Sequence, residues 1–247
     1  MNEEFLAGRA DASQAFEASK IEVRTTADGS PTLYVPALDE HYHSRHGAAQ
    51  ESRHVFIAAG LAPLLAAGAG QPDQPPLRLL EIGLGTGLNA LLTLEEARLA
   101  SAAIAYDGYE TVPLPTEAVA VLATQWQADA SLRLAFAQLH AAPWGTPLAL
   151  TPTFSLTKVL AEVQRTDLPA DFYNLLYFDA FAPEKQPELW TEDVFAKLYA
   201  AAAPGAVLVS YCAQGQFRRN LRAAGWLTEK LPGPPGKREM TRARKPA

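Results

Sequence analysis

Three groups of residues in this sequence have the types and spacing to do chemistry. The first is Glu81-Ile-Gly-Leu-Gly-Thr-Gly-Leu-Asn89. Gly83, Gly85 and Gly87 allow a backbone to approach a ligand closely, and a helix opening after them aims its free N–H groups the same way. The second is Glu110, an acid at the end of a following apolar run, where a carboxylate can take both ribose hydroxyls of a nucleoside. A dinucleotide fingerprint needs Gly or Ala at position 88, and Leu88 stands there. An acid two residues before Gly-x-Gly-x-Gly is instead the pattern of S-adenosylmethionine loops. Glu81 suits that cofactor's sulfonium and ammonium charges and would repel a pyrophosphate. The alternative is a strand-turn-helix in which the glycines serve packing alone.

The third group is Asp179 in Tyr177-Phe-Asp-Ala-Phe-Ala-Pro183. An acid at the tip of a central strand sits over the reactive end of a ligand in a parallel sheet. Methylating an alkylammonium requires removing a proton and aiming the nitrogen lone pair, and a carboxylate can do both. Phe181 is placed to stack on a base. The competing reading makes Asp179 a helix cap and Phe181 a core residue. His41, His43 and His46 invite a metal reading, but they lack the helical spacing of metal-binding pairs and read as a polar loop without metal. Gln50 to Phe56 reads as the start of an amphipathic helix capped by Ser52. Arg218, Arg219 and Arg222, and Lys237 and Arg238, are candidates for phosphate contact. They are equally candidates for a solvated face and for pairs that fix a turn.

The elements that must position these groups follow from hydrophobic patterning. Residues 21–25 and 32–35 flank Asp28-Gly29 as a β-hairpin. Gln50 to Leu65 reads as helix, with a break expected near Gly60 to Pro63. After the turn-rich stretch Gly68 to Pro76, strand and helix alternate: strand 77–82, helix 88–100, strand 103–110, helix 116–128 capped by Thr116, and a β-rich stretch 148–159. Strand 171–178, helix 187–203 stopped by Pro204-Gly205, strand 206–211, helix 215–224 and strand 226–231 complete the pattern. Such alternation predicts an α/β fold with a mostly parallel, Rossmann-like sheet. Residues 1–76 are expected to be an N-terminal hairpin-and-helix extension packed on a core of residues 77–247.

Composition bounds the rest. The chain has 247 residues, 48% hydrophobic and 19% charged, which is globular. The single cysteine, Cys212, excludes a disulfide framework within one chain. The acidic start Met1-Asn2-Glu3-Glu4 precedes no apolar signal core, and no stretch is long enough to span a bilayer, so a soluble cytoplasmic protein is expected. The net charge of −6 is uneven: from residue 215 onward nine Lys/Arg face two Asp/Glu. A basic end on an acidic body suits an anionic partner such as nucleic acid.

Taken together and in order, the motifs Glu51-Ser-Arg-His-Val-Phe56, Glu81 to Asn89, Tyr109-Glu110 with Pro113-Leu114, Asp179 to Pro183 with Leu189-Trp-Thr191, Gly215 with Arg218-Arg219, and Gly236-Lys-Arg-Glu-Met240 resemble the methyltransferase of tRNA 5-methylaminomethyl-2-thiouridine biosynthesis (MnmC/MnmD type). The resemblance implies the class I S-adenosyl-L-methionine-dependent methyltransferase fold and N-methylation of the 5-aminomethyl group on the wobble uridine, with the tRNA anticodon loop as partner. It carries over Glu81, Gly83, Gly85, Gly87 and Asn89 to the cofactor loop, Glu110 to the ribose, and Asp179 to the target amine. Glu162 is the candidate near the adenine, while Arg53, Phe181, Arg218, Arg222, Lys237 and Arg238 are assigned to substrate. The chain shows no second glycine fingerprint, so a stand-alone form without a flavin domain is expected. Two other readings stay open: a small-molecule amine methyl- or aminopropyl-transferase, and a catalytically silent RNA-binding module.

Overall fold

The structure is a computed structural model that describes residues 21–126 and 128–247. The first 20 residues of the expected extension lie outside that range, as does position 127 of the helix expected to run to 128.

The hairpin forms as β1 (Glu22–Thr25) and β2 (Pro31–Val35), antiparallel, and β3 (Glu40–His41) pairs with β2. Its turn does more than reverse the chain. Asp28 accepts from the Thr26 hydroxyl at 2.7 Å, the Ser30 amide at 3.0 Å and the Gln50 amide at 3.0 Å. The Ser30 hydroxyl accepts from the amides of Ala48 and Ala49. The turn therefore supplies the N-terminal cap of the next helix, whose orphan amides need acceptors. Burial pulls the Asp28 carboxyl up, but hydrogen bonds from Ser30, Thr26 and the Gln50 amide outweigh it and bring it down to about 2.

That helix, α1, consists of three abutting segments: Ala48–Ser52, a π-helical Arg53–Leu61, and Ala62–Ala66. The expected break near Gly60 does not occur. Gly60 marks a close approach instead: a Cβ there would meet Val209 Cγ2 at 3.0 Å. Pro63 falls in the first turn of the last segment, where a missing N–H costs least.

Then follow β4 (Leu77–Ile82), α2 (Leu88–Leu99), β5 (Ile104–Glu110), α3 (Thr116–Gln125), α4 (Ala130–Ala141), β6 (Leu148–Thr151), β7 (Phe154–Leu160), β8 (Tyr173–Phe178), α5 (Glu192–Ala201), β9 (Ala202–Ser210), α6 (Gly215–Ala223), β10 (Leu227–Pro232) and β11 (Glu239–Arg244). The large sheet has the order β10-β11-β9-β8-β4-β5-β7-β6. Its five central strands are parallel, β6 and β11 run opposite to them, and β10 pairs antiparallel with β11 and so runs in the central direction. The expected α/β architecture is thus the observed one. The chain reverses strand order at β4, flanked by β5 and β8, which is the switch point where such sheets bind ligands.

Several elements differ from the sequence reading. The helix expected over 187–203 ends at Ala201, and Pro204-Gly205 lies inside β9 rather than stopping a helix. The shift in β8–β9 pairing between Tyr173 and Leu175 absorbs the irregularity. Thr116 is the first helical residue of α3, after Pro115 at the cap. Helix α4 lies in a stretch given no element from sequence. Leu132, Ala135, Phe136 and Leu139 form its buried stripe, and Asp129 caps it by accepting from the amides of Ser131 and Leu132. That i, i+3, i+4, i+7 pattern after an Asp was a readable signal.

Each face of the sheet carries a core. Alternation along β4 sends Leu77 and Leu79 toward α1 and α2, and Leu80 and Ile82 toward α5 and α6. Leu33, Val55, Phe56 and Leu61 belong to the first core, so β2 and α1 share it with the large sheet.

Candidate active site

A cleft of about 1340 Å³ opens at the C-terminal ends of β4, β5, β7 and β8. The turn after β4 forms its floor. Gly83 has φ +89, and a Cβ there would meet the Asp179 carbonyl oxygen at 2.5 Å, so only glycine lets this turn lie against the end of β8. Gly85 (φ +52) lies under the Tyr42 ring. Gly87 (φ +74) is the N-cap of α2. Leu88 and Asn89, the first residues of α2, line the cleft, whereas Gly87 itself does not.

Glu110, at the tip of β5, accepts from the amides of Gly85 (3.0 Å), Thr111 (2.7 Å) and Val112 (3.0 Å). Burial raises its carboxyl above the usual range, and those three amides oppose the rise.

Asp179 directly follows β8 and lines the same cleft. Its Oδ2 accepts from Asn89 Nδ2 at 2.8 Å. Burial pushes its carboxyl up to about 7; Asn89 and the Lys237 ammonium pull against that, and the Glu51 charge adds to it. A carboxyl poised there changes protonation state near neutral pH, as a general base should. Lys237 Nζ lies 2.7 Å from Glu51 Oε1 and 4.1 Å from the centre of the Tyr211 ring. At the opposite wall, Phe181 meets Tyr42 edge to face, with ring centroids 5.2 Å apart.

The structure brings Gly83, Gly85, Asn89, Glu110, Glu162, Asp179, Phe181 and Lys237 to this cleft. Glu162 stands just beyond β7 and is paired with Arg165 at 3.0 Å. Other sequence candidates lie elsewhere. Glu81 is fully buried and does not line the cleft. It shares the Leu77–Leu79 face of β4 and so points under α2, where Tyr106 and Asn89 bond it. Arg53 pairs with Glu95 and Glu96 on α2, outside the cleft lining. Arg218 is buried and pairs with Glu239 at 3.4 Å, which removes it from any surface open to a substrate. Arg222 bonds Thr228 and Arg238 is exposed, and neither lines the cleft.

Ser52 is no helix cap either: buried inside α1, its hydroxyl donates to Asn89 Oδ1. Sequence reasoning also missed Tyr42, Glu51, Tyr106 and Tyr211. Only Glu51 had a signal, through the motif that contains it. His43, half-buried in the cleft lining, bonds Thr32 and Thr86, and desolvation lowers its ring to about 4.

Comparisons with known proteins agree with this geometry. A family model described as S-adenosyl-L-methionine-dependent methyltransferase matches residues 121–246, just over half of the chain. The bifunctional tRNA 5-methylaminomethyl-2-thiouridine biosynthesis protein MnmC of Aromatoleum aromaticum is 33% identical over 233 residues, covering 89% of this chain and 34% of that protein. Its namesake in Cupriavidus metallidurans is 33% identical over 229 residues, covering 88% and 33%. The chain thus spans about a third of the length of the curated relatives it matches. The crystal structure of MNMC2 from Aquifex aeolicus superposes with a TM-score of 0.76 at 23% identity, covering 100% of this chain and 80% of that one, which establishes the fold. A sheet with its ligand cleft at the switch point, a glycine turn at the cleft floor and a family match over half its length place this chain in the S-adenosyl-L-methionine-dependent methyltransferase family.

Proposed function

We propose that this protein N-methylates the 5-aminomethyl group of uridine or 2-thiouridine at the tRNA wobble position, giving 5-methylaminomethyl-(2-thio)uridine. The observation that carries the reading is the Asp179 carboxyl, held by Asn89 Nδ2 at 2.8 Å in the same cleft as the glycine turn and Glu110. The names of the MnmC relatives support the substrate class.

The residues present fit the cofactor. Gly83 and Gly85 leave its floor free of side chains, Glu110 would take the ribose hydroxyls, and Glu162 would stand near the adenine. S-Adenosyl-L-methionine supplies an electrophilic methyl group on a sulfonium when bound. The chain's own residues do the rest. Asp179 accepts a proton from the incoming ammonium and orients the freed nitrogen lone pair. Phe181, braced by Tyr42, offers a stacking surface for the extruded base, worth about 1–3 kcal/mol. Lys237 offers a cation at the cleft, and Arg222 and Arg238 are exposed cations within reach of a large substrate's backbone.

Among the described residues no helix is long and apolar enough to cross a membrane, and a cytoplasmic location follows from the tRNA substrate. We also read residues 21–76, the described part of the expected extension, as packed on a core of 77–247.

The test is mass analysis of tRNA nucleosides after incubation with S-adenosyl-L-methionine and tRNA carrying the aminomethyl intermediate. A nucleoside heavier by one methyl group is expected. Unchanged nucleosides, with cofactor bound, would refute the substrate.

A further inference from the structure

Asn89 sits at the centre of a closed set of hydrogen bonds. Its Nδ2 donates to Glu81 Oε1 at 2.8 Å and to Asp179 Oδ2 at 2.8 Å. Its Oδ1 accepts from the Ser52 hydroxyl. Glu81 Oε2 in turn accepts from the Tyr106 hydroxyl at 2.7 Å. An amide nitrogen has two hydrogens, and both are used on carboxyl oxygens here. Asp179 Oδ1 has no protein donor among the described residues, and Asp179 lines the cleft.

We propose that Glu81, held by Tyr106, is a positioning residue that acts on Asp179 through the Asn89 side chain, and not a ligand of the cofactor. The inference rests on Asp179 being the base of the proposed reaction. Glu81 and Ser52 fix the plane of the Asn89 amide from two sides. The remaining hydrogen of Asn89 then ties one oxygen of Asp179 down, which leaves the other to accept the proton of the amine. Without an acceptor at position 81 the amide turns, and Asp179 loses both its orientation and the donor that favours its ionised form.

Asp179 is faced from several elements. Glu51 comes from α1, Lys237 from the β10–β11 turn, Asn89 from α2, and the Tyr211 hydroxyl from the residue after β9. Glu81 is in turn faced by Tyr106 and Glu110 of β5, as well as by Asp179. A change at Glu81 leaves Glu51 and Lys237 in place, so its effect on Asp179 can be read separately from theirs.

The test compares Glu81→Met, which keeps the length but removes the acceptor, with Glu81→Gln, which keeps an acceptor for Asn89. Cofactor affinity is measured by calorimetry and kcat is followed against pH on the aminomethylated tRNA. For Glu81→Met the expected result is a Kd for S-adenosyl-L-methionine within about twofold of the parent and a kcat lower by about 100-fold. The acid limb of the kcat profile should also move to higher pH. Glu81→Gln should restore most of both. Should Glu81→Met fail to fold, Tyr106→Phe removes one hydroxyl and should give a smaller change in the same directions. A tenfold or greater loss of cofactor affinity with kcat retained would overturn the proposal, as would an unmoved acid limb. If the parent protein does not methylate the tRNA at all, the substrate reading fails instead, and the cofactor affinity of Glu81→Met still decides whether Glu81 is a ligand.

Discussion

Lys237 Nζ lies 2.7 Å from Glu51 Oε1, joining the turn between β10 and β11 to helix α1 along one wall of the cleft. The two charges act on Asp179 in opposite senses: Glu51 raises its carboxyl and Lys237 lowers it. Glu51→Gln should therefore move the acid limb of the rate profile to lower pH, and Lys237→Met should move it to higher pH. Paired pH–rate profiles check this, and shifts in the same direction would show that the pair does not act on Asp179 by charge.

Asp179→Asn should remove turnover while leaving cofactor binding largely intact, because the backbone and the bond from Asn89 have counterparts in the amide. Its stability effect has a defined sign. The folded protein holds the Asp179 proton up to about pH 7, well above an unfolded carboxyl near 3.8. The parent therefore loses stability as pH rises from about 4 to 7, and the loss is complete above that. Asp179→Asn should melt higher than the parent at pH 8, by about 2–4 °C for each kcal/mol regained. At pH 4 the advantage should vanish. Calorimetric melting at the two pH values measures it.

Glu110→Ala should weaken S-adenosyl-L-methionine binding and also loosen the turn it holds, since it receives the amides of Gly85, Thr111 and Val112. Isothermal titration should show at least a tenfold rise in Kd, about 1.4 kcal/mol. An unchanged Kd would remove Glu110 from the cofactor site.

Asp28→Ala strips the cap from α1 and should cost about 1 kcal/mol in denaturant unfolding at pH 7. The Asp28 carboxyl is held down to about 2 in the folded chain. Its contribution is present in full above about pH 4 and disappears as pH falls through 2, so parent and variant should converge in strong acid.

Much of the framework was legible because strand runs such as Leu77–Ile82 and the glycine turn are local signals. Glu110 and Asp179 were legible for the same reason: each ends an apolar run, and strand ends converge at one rim in a parallel sheet. What failed was direction. Glu81 lies one residue before the end of β4, and a strand's alternation turns it into the sheet's helix layer rather than the cleft. Arg218 and Arg222, four apart on α6, were read as one face, yet Glu239 on β11 draws Arg218 inward. Part of the charge at the basic end is taken up inside the fold. Arg242 and Arg244 pair with Glu229, Lys230 with Glu239, and Lys245 with Asp171, so much of that charge is matched within the fold. Those pairings join residues distant in sequence, which no local pattern reveals.

The Ser52 hydroxyl reaching Asn89 gives the front third of the polypeptide a standing it would not have as an appendage. A shortened version starting at residue 77 would retain every strand of the large sheet, yet its would-be base would be left without the scaffolding that steadies it. The remaining two thirds, cut away from the hairpin and first helix, would lose the bond that Ser52 makes to Asn89.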